Sequence, residues 1–330
     1  MPRLFWPNFD FEHELASGES WRPTEKLRRL NSRFAPVLGA LCDREDRVVL
    51  PGKLPPSERV IREINVNFVS EEMVRDSADF RGADWELIPW GVAASLKRLA
   101  KSRDWGWNQP DPEKVKTWND RLTSVEREPS SLSGEAIPHP IHSIDQLACL
   151  LRDRADGRRW VVKARFGMSG RERLVGEGTD LAATQLGWLK KRFAQQQTLI
   201  WEPWLDIVDE VGLQYDISKT GEVRFLAALP LLNAPTGEYM GSRLSLSPEE
   251  RSQWSPAITL GESLAREAGE TGYWGPFSID AVRFRDRDDI HLRPVMEINA
   301  RWTMGRLAYE WGTRLKSGDG KMWRLGEVIA

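Results

Sequence analysis

The sequence predicts a mixed α/β and α+β chain. Three observations predict it. Strand-like and helix-like segments alternate over the first 105 residues, and after residue 160 strand-like runs recur with helical stretches between them. Length is the third: 330 residues exceed the roughly 150 of a typical single domain, so two domains, or one with subdomains, are expected.

The elements follow in order. Arg3–Trp6 reads as a short apolar strand, and Thr24–Phe34 as a helix with Thr24 placed to cap it. Arg47–Leu50 is a strand closed by Pro51-Gly52, and Ser70–Ser77 a short helix capped by Ser70. Trp85–Pro89 is a strand, and Gly91–Lys101 carries apolar residues at helical spacing. This alternation predicts a small, mostly parallel sheet under helices. Residues 111–128 read as one helix, and 129–143 (PSSLSGEAIPHPIHS) as a connecting loop. A helix capped by Ser143 runs to about Arg154; WVVKARF (160–166) is a strand, 179–195 a helix and Leu199–Trp201 a strand. Further strands are expected at 211–217, 223–229, 277–285 and 291–299, and a helix over Ser247–Gly269 broken near Pro256.

Composition excludes several classes. Lys and Arg total 47 against 49 for Asp and Glu, so the net charge of −2 offers no bulk attraction to nucleic acid or anionic lipid. No run of 18 apolar residues exists, so no spanning helix is expected, and the first residues do not read as a secretory signal. Cys42 and Cys149 are far apart and form no redox or metal pattern, which fits a cytoplasmic setting. No phosphate-binding GxxxxGK[ST] loop and no GxSxG elbow is present. His139 and His142 lie close together, but no third ligand is spaced to complete a zinc site. The 16 tryptophans read as core and subunit-contact residues, which makes a homodimer an expectation.

The first informative run is VVKARFGMSGRER (161–173). Val161-Val162 delivers Lys163 from a strand; Gly167 and Gly170 then let backbone N–H groups approach an anion, and Ser169 adds a hydroxyl. Arg165, Arg171 and Arg173 add positive charge. The run suits a hinged flap over a polyphosphate, or equally a tight hairpin with surface arginines. LIWEPWLD (199–206) is an apolar strand ending at Glu202, with Pro203-Trp204-Leu205 as a hinge that can offer backbone groups to an adenine edge, or simply a strand end. Asp209 or Glu210 can accept from ribose hydroxyls.

FSIDAVRF (277–284) and PVMEINARW (294–302) read as paired strands. Side chains alternate along a strand, so Glu297, Asn299 and Arg301 share a face while Met296, Ile298 and Ala300 turn to the core. If the strands pair in register, Asp280, Glu297 and Asn299 cluster as the hard oxygen ligands that Mg²⁺ prefers. Arg301 would stand beside them and offset charge on a transferring phosphoryl group. A solvated polar face is the competing reading.

In this order, these pieces resemble the ATP-grasp superfamily of carboxylate–amine ligases, over about residues 110–310. The resemblance rests on VVKARFGMSGRER, the EPWL hinge, the aspartate of SIDAVRF, and EINARWTMGR. It implies an N-terminal α/β domain of the pre-ATP-grasp kind (1–105), followed by a two-lobed ATP-grasp fold: a central lobe with the glycine flap (106–205) and a C-terminal lobe with the metal site (206–330). It also implies that Lys163 contacts the nucleotide phosphates, and that Gly167, Ser169 and Gly170 close over them. Glu202 through Leu205 would hold adenine, and Glu210 the ribose. Asp280, Glu297 and Asn299 would bind two Mg²⁺ ions, and Arg301 would stabilise an acyl phosphate. Arg243, in YMGSRL, lies where many members place a γ-phosphate-contacting base. Members often carry an earlier lysine in a segment like WNDK; here WNDR ends in Arg121, which keeps the charge and changes the geometry.

The activity implied is ATP-dependent formation of an amide or peptide bond between a small-molecule or peptide carboxylate and an amine. A small-molecule kinase with the same grip, and a non-catalytic nucleotide-binding protein, are the alternatives. Asn8, Asp10 and Glu12 in FWPNFDFE (5–12) either line the substrate pocket or end a packed strand, and Arg306 is a candidate for a substrate carboxylate.

Overall fold

The computed structural model describes residues 1–52, 66–129, 136–155, 157–167, 172–234, 237–314 and 321–326. Its strands form three sheets. The first is parallel and built from β1 (Arg3–Trp6), β2 (Arg47–Leu50), β3 (Asn67–Ser70) and β4 (Glu86–Pro89), in the order β3-β2-β1-β4. Alternation along β1 sends Leu4 and Trp6 to one face, where Val74, Leu96 and Ala100 of the covering helices meet them. Phe5 points to the other face and joins a larger core with Val37, Leu38 and Val48. Both faces are thus buried, as an all-parallel sheet requires. Thr24 and Ser70 cap their helices as expected, accepting from Leu27 N–H at 3.4 Å and Met73 N–H at 3.1 Å.

The second sheet is antiparallel: β5 (His139–Ile141), β6 (Arg159–Ala164), β7 (Arg173–Glu177) and β8 (Leu199–Pro203), ordered β5-β8-β6-β7. Trp160, Val162, Ala164, Leu199 and Trp201 form one face, packed with Leu147 and Leu189 from helices Ile144–Leu150 and Ala183–Ala194. Lys163 and Glu202 therefore emerge together on the opposite face. Gly176 stands opposite Trp160, and a Cβ there would fall 2.1 Å from the indole.

The third sheet has six antiparallel strands: β9 (Asp206–Ile217), β10 (Val223–Asn233), β11 (Tyr239–Arg243), β12 (Gly275–Asp286), β13 (Asp289–Asn299) and β14 (Met322–Arg324), in the order β13-β12-β9-β10-β11-β14. Helix Pro248–Glu270 buries Trp254, Ala257, Ile258, Leu264 and Ala265 in the core shared with Val211, Leu213, Tyr215, Ile279 and Ile298. That core is continuous with the one under Phe5, so the first and third sheets share hydrophobic packing. No helix among the described residues is long and apolar enough to cross a membrane.

Three expectations are corrected. Helix 248–270 continues through Pro256, because its apolar face remains packed on the sheet and outweighs one lost backbone bond. The stretch 111–128 is two helices, Pro112–Trp118 and Arg121–Glu126, because the Asp120 carboxylate accepts from Leu122 N–H at 3.0 Å and starts a second helix. The connecting loop contains β5, an edge strand, where Pro140 interrupts no central ladder.

Candidate active site

The site grows from the face of the third sheet that turns away from the long helix. Asp280 pairs directly with Glu297 across β12 and β13, and with Gly212 on β9. Directly opposed residues share a face, so the two carboxylates stand side by side. Asn299, two residues on, donates from Nδ2 to Asp280 Oδ2 at 3.2 Å. Burial pushes the Asp280 carboxyl up to about 7, helped by Glu297 and then Glu210, against the opposing pull of Arg301 and of the Asn299 hydrogen bond. Two carboxylates and an amide oxygen, with surplus negative charge out of water, make a donor set that suits magnesium. No group of three or more His, Cys, Asp or Glu side chains suited to a metal occurs among the described residues, so the amide of Asn299 is needed to complete the set.

The WNDR segment (118–121) holds this strand end. Asn119 Oδ1 accepts from Ala300 N–H at 3.1 Å, and its Nδ2 donates to Ala300 C=O at 3.1 Å. Ser124 Oγ accepts from Ile298 N–H at 3.0 Å. The backbone carrying Glu297, Asn299 and Arg301 is thereby fixed from outside its own sheet. Arg121 Nη1 donates to Ala164 C=O and Nη2 to Gly167 C=O, each at 2.8 Å, and Nη2 lies 2.9 Å from Glu297 Oε1. It ties the start of the glycine loop to the carboxylate strand. Its pKa is raised, because Glu297, Glu12 and Glu202 together outweigh the cost of its burial. Asp120 also receives the Arg165 guanidinium.

On the second sheet, Lys163 Nζ lies 2.8 Å from Glu202 Oε2. Arg293, on β13, reaches the same oxygen at 3.2 Å and Glu128 Oε2 at 2.9 Å. Burial alone would raise Glu202; Lys163 first, then Arg293, outweigh it and hold the carboxyl at about 2. The side chain of Glu202 is committed, so only its backbone remains for a ligand. In the hinge, Trp204 N–H donates to Arg159 C=O at 3.0 Å, and the Arg159 guanidinium lies 4.1 Å from the Trp204 ring centre. Pro203 pairs with Trp160, and Leu205 is partly exposed between β8 and β9.

Glu210 and Asp209 take opposite sides of β9. Asp209 is held by Arg283 through two bonds of 2.8 and 2.5 Å. Glu210 accepts from Asn233 Nδ2 at 2.6 Å; burial raises its pKa, while Asn233 and then Lys163 lower it. Glu210 in turn raises Asp280. Lys163, Glu210, Asp280 and Glu297 thus share one electrostatic neighbourhood, with the second sheet contributing the cation and the third the acids.

Arg301 is gripped by a residue from the first part of the chain. Its Nε and Nη2 donate to Glu12 Oε1 at 3.1 and 2.8 Å, and its guanidinium lies 5.8 Å from the ring centres of both Phe11 and Trp90. Other candidates are committed to partners of their own. Arg243 donates to Glu250 Oε1 at 2.5 Å beside the capping box of the long helix. Arg306 is bound by Asp216 and Glu310, at 2.7 Å to each, which commits it internally. Asn8 bonds the Gly91 backbone, and Asp10 accepts from Asn31 at 2.6 Å. Ser169, Gly170 and Arg171 lie outside the described residues. Asn119 and Arg293 were missed as partners of the site, and Glu12, a candidate pocket residue, pairs with Arg301. Glu12 and Asn119 stand inside motifs already singled out, FWPNFDFE and WNDR, whereas Arg293 carries no local signal.

Neither a protein-family profile nor any curated protein matches the sequence. Solved structures do. Pyruvate carboxylase from Rhizobium etli superposes over 95% of this chain and 27% of its own, with a TM-score of 0.57 and 14% identity. The biotin carboxylase domain of the Hydrogenobacter thermophilus 2-oxoglutarate carboxylase, solved with MgADP, ADP and bicarbonate, matches over 99% of this chain and 72% of its own, with a TM-score of 0.55 and 13% identity. N5-carboxyaminoimidazole synthase from Aspergillus clavatus, solved with ADP and 5-aminoimidazole ribonucleotide, matches over 96% of this chain and 77% of its own, with a TM-score of 0.54 and 12% identity. A parallel N-terminal sheet followed by two antiparallel sheets is the ATP-grasp architecture. At these identities the likeness is one of fold, and it spans nearly the whole chain.

Proposed function

We propose that the protein is an ATP- and Mg²⁺-dependent enzyme that activates a carboxylate as an acyl phosphate and joins it to an amine, releasing ADP and phosphate. The observation that supports this reading is the register pairing of Asp280 with Glu297 and the Asn299 bond to Asp280, beside a Glu210 whose charge is felt by Asp280 and which itself feels Lys163. The division into 1–105, 106–205 and 206–330, with one sheet in each part, belongs to the same reading.

Lys163 draws the nucleotide phosphates to the second sheet, and Gly167, Ser169 and Gly170 cover them. The hinge backbone from Glu202 to Leu205 receives the adenine edge, and Glu210 the ribose. Magnesium, when held by Asp280, Glu297 and Asn299, supplies the positive charge that the phosphate oxygens need. A substrate carboxylate oxygen forms a bond to the γ-phosphorus as the bond to ADP breaks. An amine nitrogen then bonds the acyl carbon, phosphate departs with the bonding pair, and the amine proton passes to solvent. Arg301, held by Glu12, offsets charge on the oxygens of the acyl phosphate. Arg121 keeps the glycine loop in reach of the acids. No covalent side-chain nucleophile is required. Arg243, paired with Glu250, has no part in this scheme.

The test is an ADP-release screen over amino acids and dipeptides, with mass detection of products. The expected result is ADP, phosphate and a condensed product, lost in Asp280→Asn and Asn299→Ala chains that keep their fold. A stable phosphoester in place of the condensed product would make the protein a kinase. Full turnover in both variants would remove the metal assignment.

A further inference from the structure

Glu202 is a buried carboxylate with two cations on one oxygen: Lys163 Nζ at 2.8 Å and Arg293 Nη1 at 3.2 Å from Oε2. The two cations differ in freedom. Arg293 has a side chain only 1% exposed, and its Nε is also held by Glu128 at 2.9 Å. Lys163 is 17% exposed, and Glu202 is the one hydrogen-bond partner recorded for its ammonium among the described residues. A guanidinium forked between two acids is fixed in place, whereas an ammonium on a four-carbon stem can swing.

The nucleotide reading makes a demand on this pair. Lys163 cannot serve a polyphosphate fully while it neutralises Glu202. A buried charge stripped of its partner is strongly unfavourable, which cancels much of what the phosphate contact gains. A second, immobile cation on the same oxygen removes that obstacle. We propose that Arg293 is a positioning residue for nucleotide binding: it retains Glu202 when Lys163 turns to the phosphates. The inference rests on the function proposed above and adds to it a residue on β13, four positions before Glu297, that touches no ligand. Arg293 also couples the two sheets, since Glu202 belongs to β8 in the second sheet and Arg293 to β13 in the third.

The experiment is MgADP titration by calorimetry on four chains: unaltered, Arg293→Met, Glu202→Gln, and the double variant, with circular dichroism to verify folding. Arg293→Met is expected to weaken MgADP by at least about tenfold, since Lys163 then has to abandon an otherwise unpaired buried acid. Glu202→Gln in the same chain removes that acid, so the double variant is expected to recover to within about threefold of the unaltered chain. Glu128 loses Arg293 in both chains, and in the double variant the charge of Glu202 that opposes its ionisation is removed as well, so the rescue reports the buried acids that Arg293 serves. A merely structural role for Arg293 gives no rescue, because the double variant has lost more contacts than the single one. Unchanged affinity in Arg293→Met, or a double variant as weak as Arg293→Met, overturns the proposal. Should Arg293→Met fail to fold, Glu202→Gln alone decides. With Lys163 released, MgADP is expected to bind at least as tightly as to the unaltered chain, and weaker binding overturns the proposal. An unaltered chain that binds no MgADP overturns the proposed function and this inference together, whereas a binding chain indifferent to Arg293 overturns the inference alone.

Discussion

Arg301 and Glu12 lie 289 residues apart in the chain and 2.8 Å apart in the fold. The contact joins the first helix, Phe11–Ser17, to the residue just past the carboxylate strand, with the guanidinium 5.8 Å from the ring centres of Phe11 and Trp90. Glu12 uses one oxygen for both bonds, and its Oε2 has no partner among the described residues. The helix that follows the first strand thus holds the arginine assigned to the acyl phosphate. Glu12→Gln is expected to lower ADP release by about tenfold or more while leaving MgADP affinity within about twofold, since Arg301 is assigned to the transferred group and not to the nucleotide. Parallel turnover and calorimetric measurements check the split; equal losses in both would place Glu12 in the general stability of the fold.

Asn119 holds both backbone groups of Ala300. Asn119→Ala leaves a buried N–H and C=O without partners, and a loss of about 2–4 kcal/mol is expected in urea unfolding. Nucleotide affinity should fall as well, because the residues on either side of Ala300 are Asn299 and Arg301. A variant as stable as the unaltered chain contradicts this role.

Arg121→Lys keeps the charge and loses the fork that reaches Ala164, Gly167 and Glu297 together. The expected outcome is faster proteolytic cleavage at 165–173 without nucleotide, with MgATP restoring protection. Equal cleavage of the two chains would show that the fork does not hold the loop.

The pH dependence follows from Glu202. Its carboxyl is held at about 2, below the ordinary 4.5, so the folded chain keeps it ionised where the unfolded chain protonates it. Stability from this group is complete above pH 4.5 and is lost as pH falls toward 2. Glu202→Gln should therefore melt below the unaltered chain at pH 7, and the gap should close as pH approaches 2. A gap independent of pH would contradict the assignment.

Much of this fold was legible in the sequence for physical reasons. The strand carrying Lys163 and the pair carrying Asp280 and Glu297 are largely apolar runs, and alternation put Glu297 and Asn299 on one face, whereas Arg301 lies past the end of that strand, at Asn299, and is held by Glu12 instead. The caps Thr24 and Ser70 are local signals and were readable as such. The short strands Tyr239–Arg243 and Met322–Arg324 were not, since they pair with each other across some eighty residues of chain and neither run is long enough to show a pattern of its own. The break at Asn119-Asp120 was hidden because the side chains that stop the helix bond partners both near, at Val115 and Leu122, and far, at Ala300. Glu12 and Arg293 mark the limit of such reading. Each matters through a partner far away in the chain, Glu12 through Arg301 and Arg293 through Glu202, and only folding brings them together.

MgADP binding by the unaltered chain, Lys163→Met and Asp280→Asn, each titrated with and without magnesium, probes the two walls of the site at once. The expected result is binding to the unaltered chain that strengthens with magnesium, weaker binding to Lys163→Met under both conditions, and loss of the magnesium effect in Asp280→Asn. Binding that ignores magnesium in every chain and is unchanged by either substitution would mean that Lys163 and Asp280 do not face a common ligand.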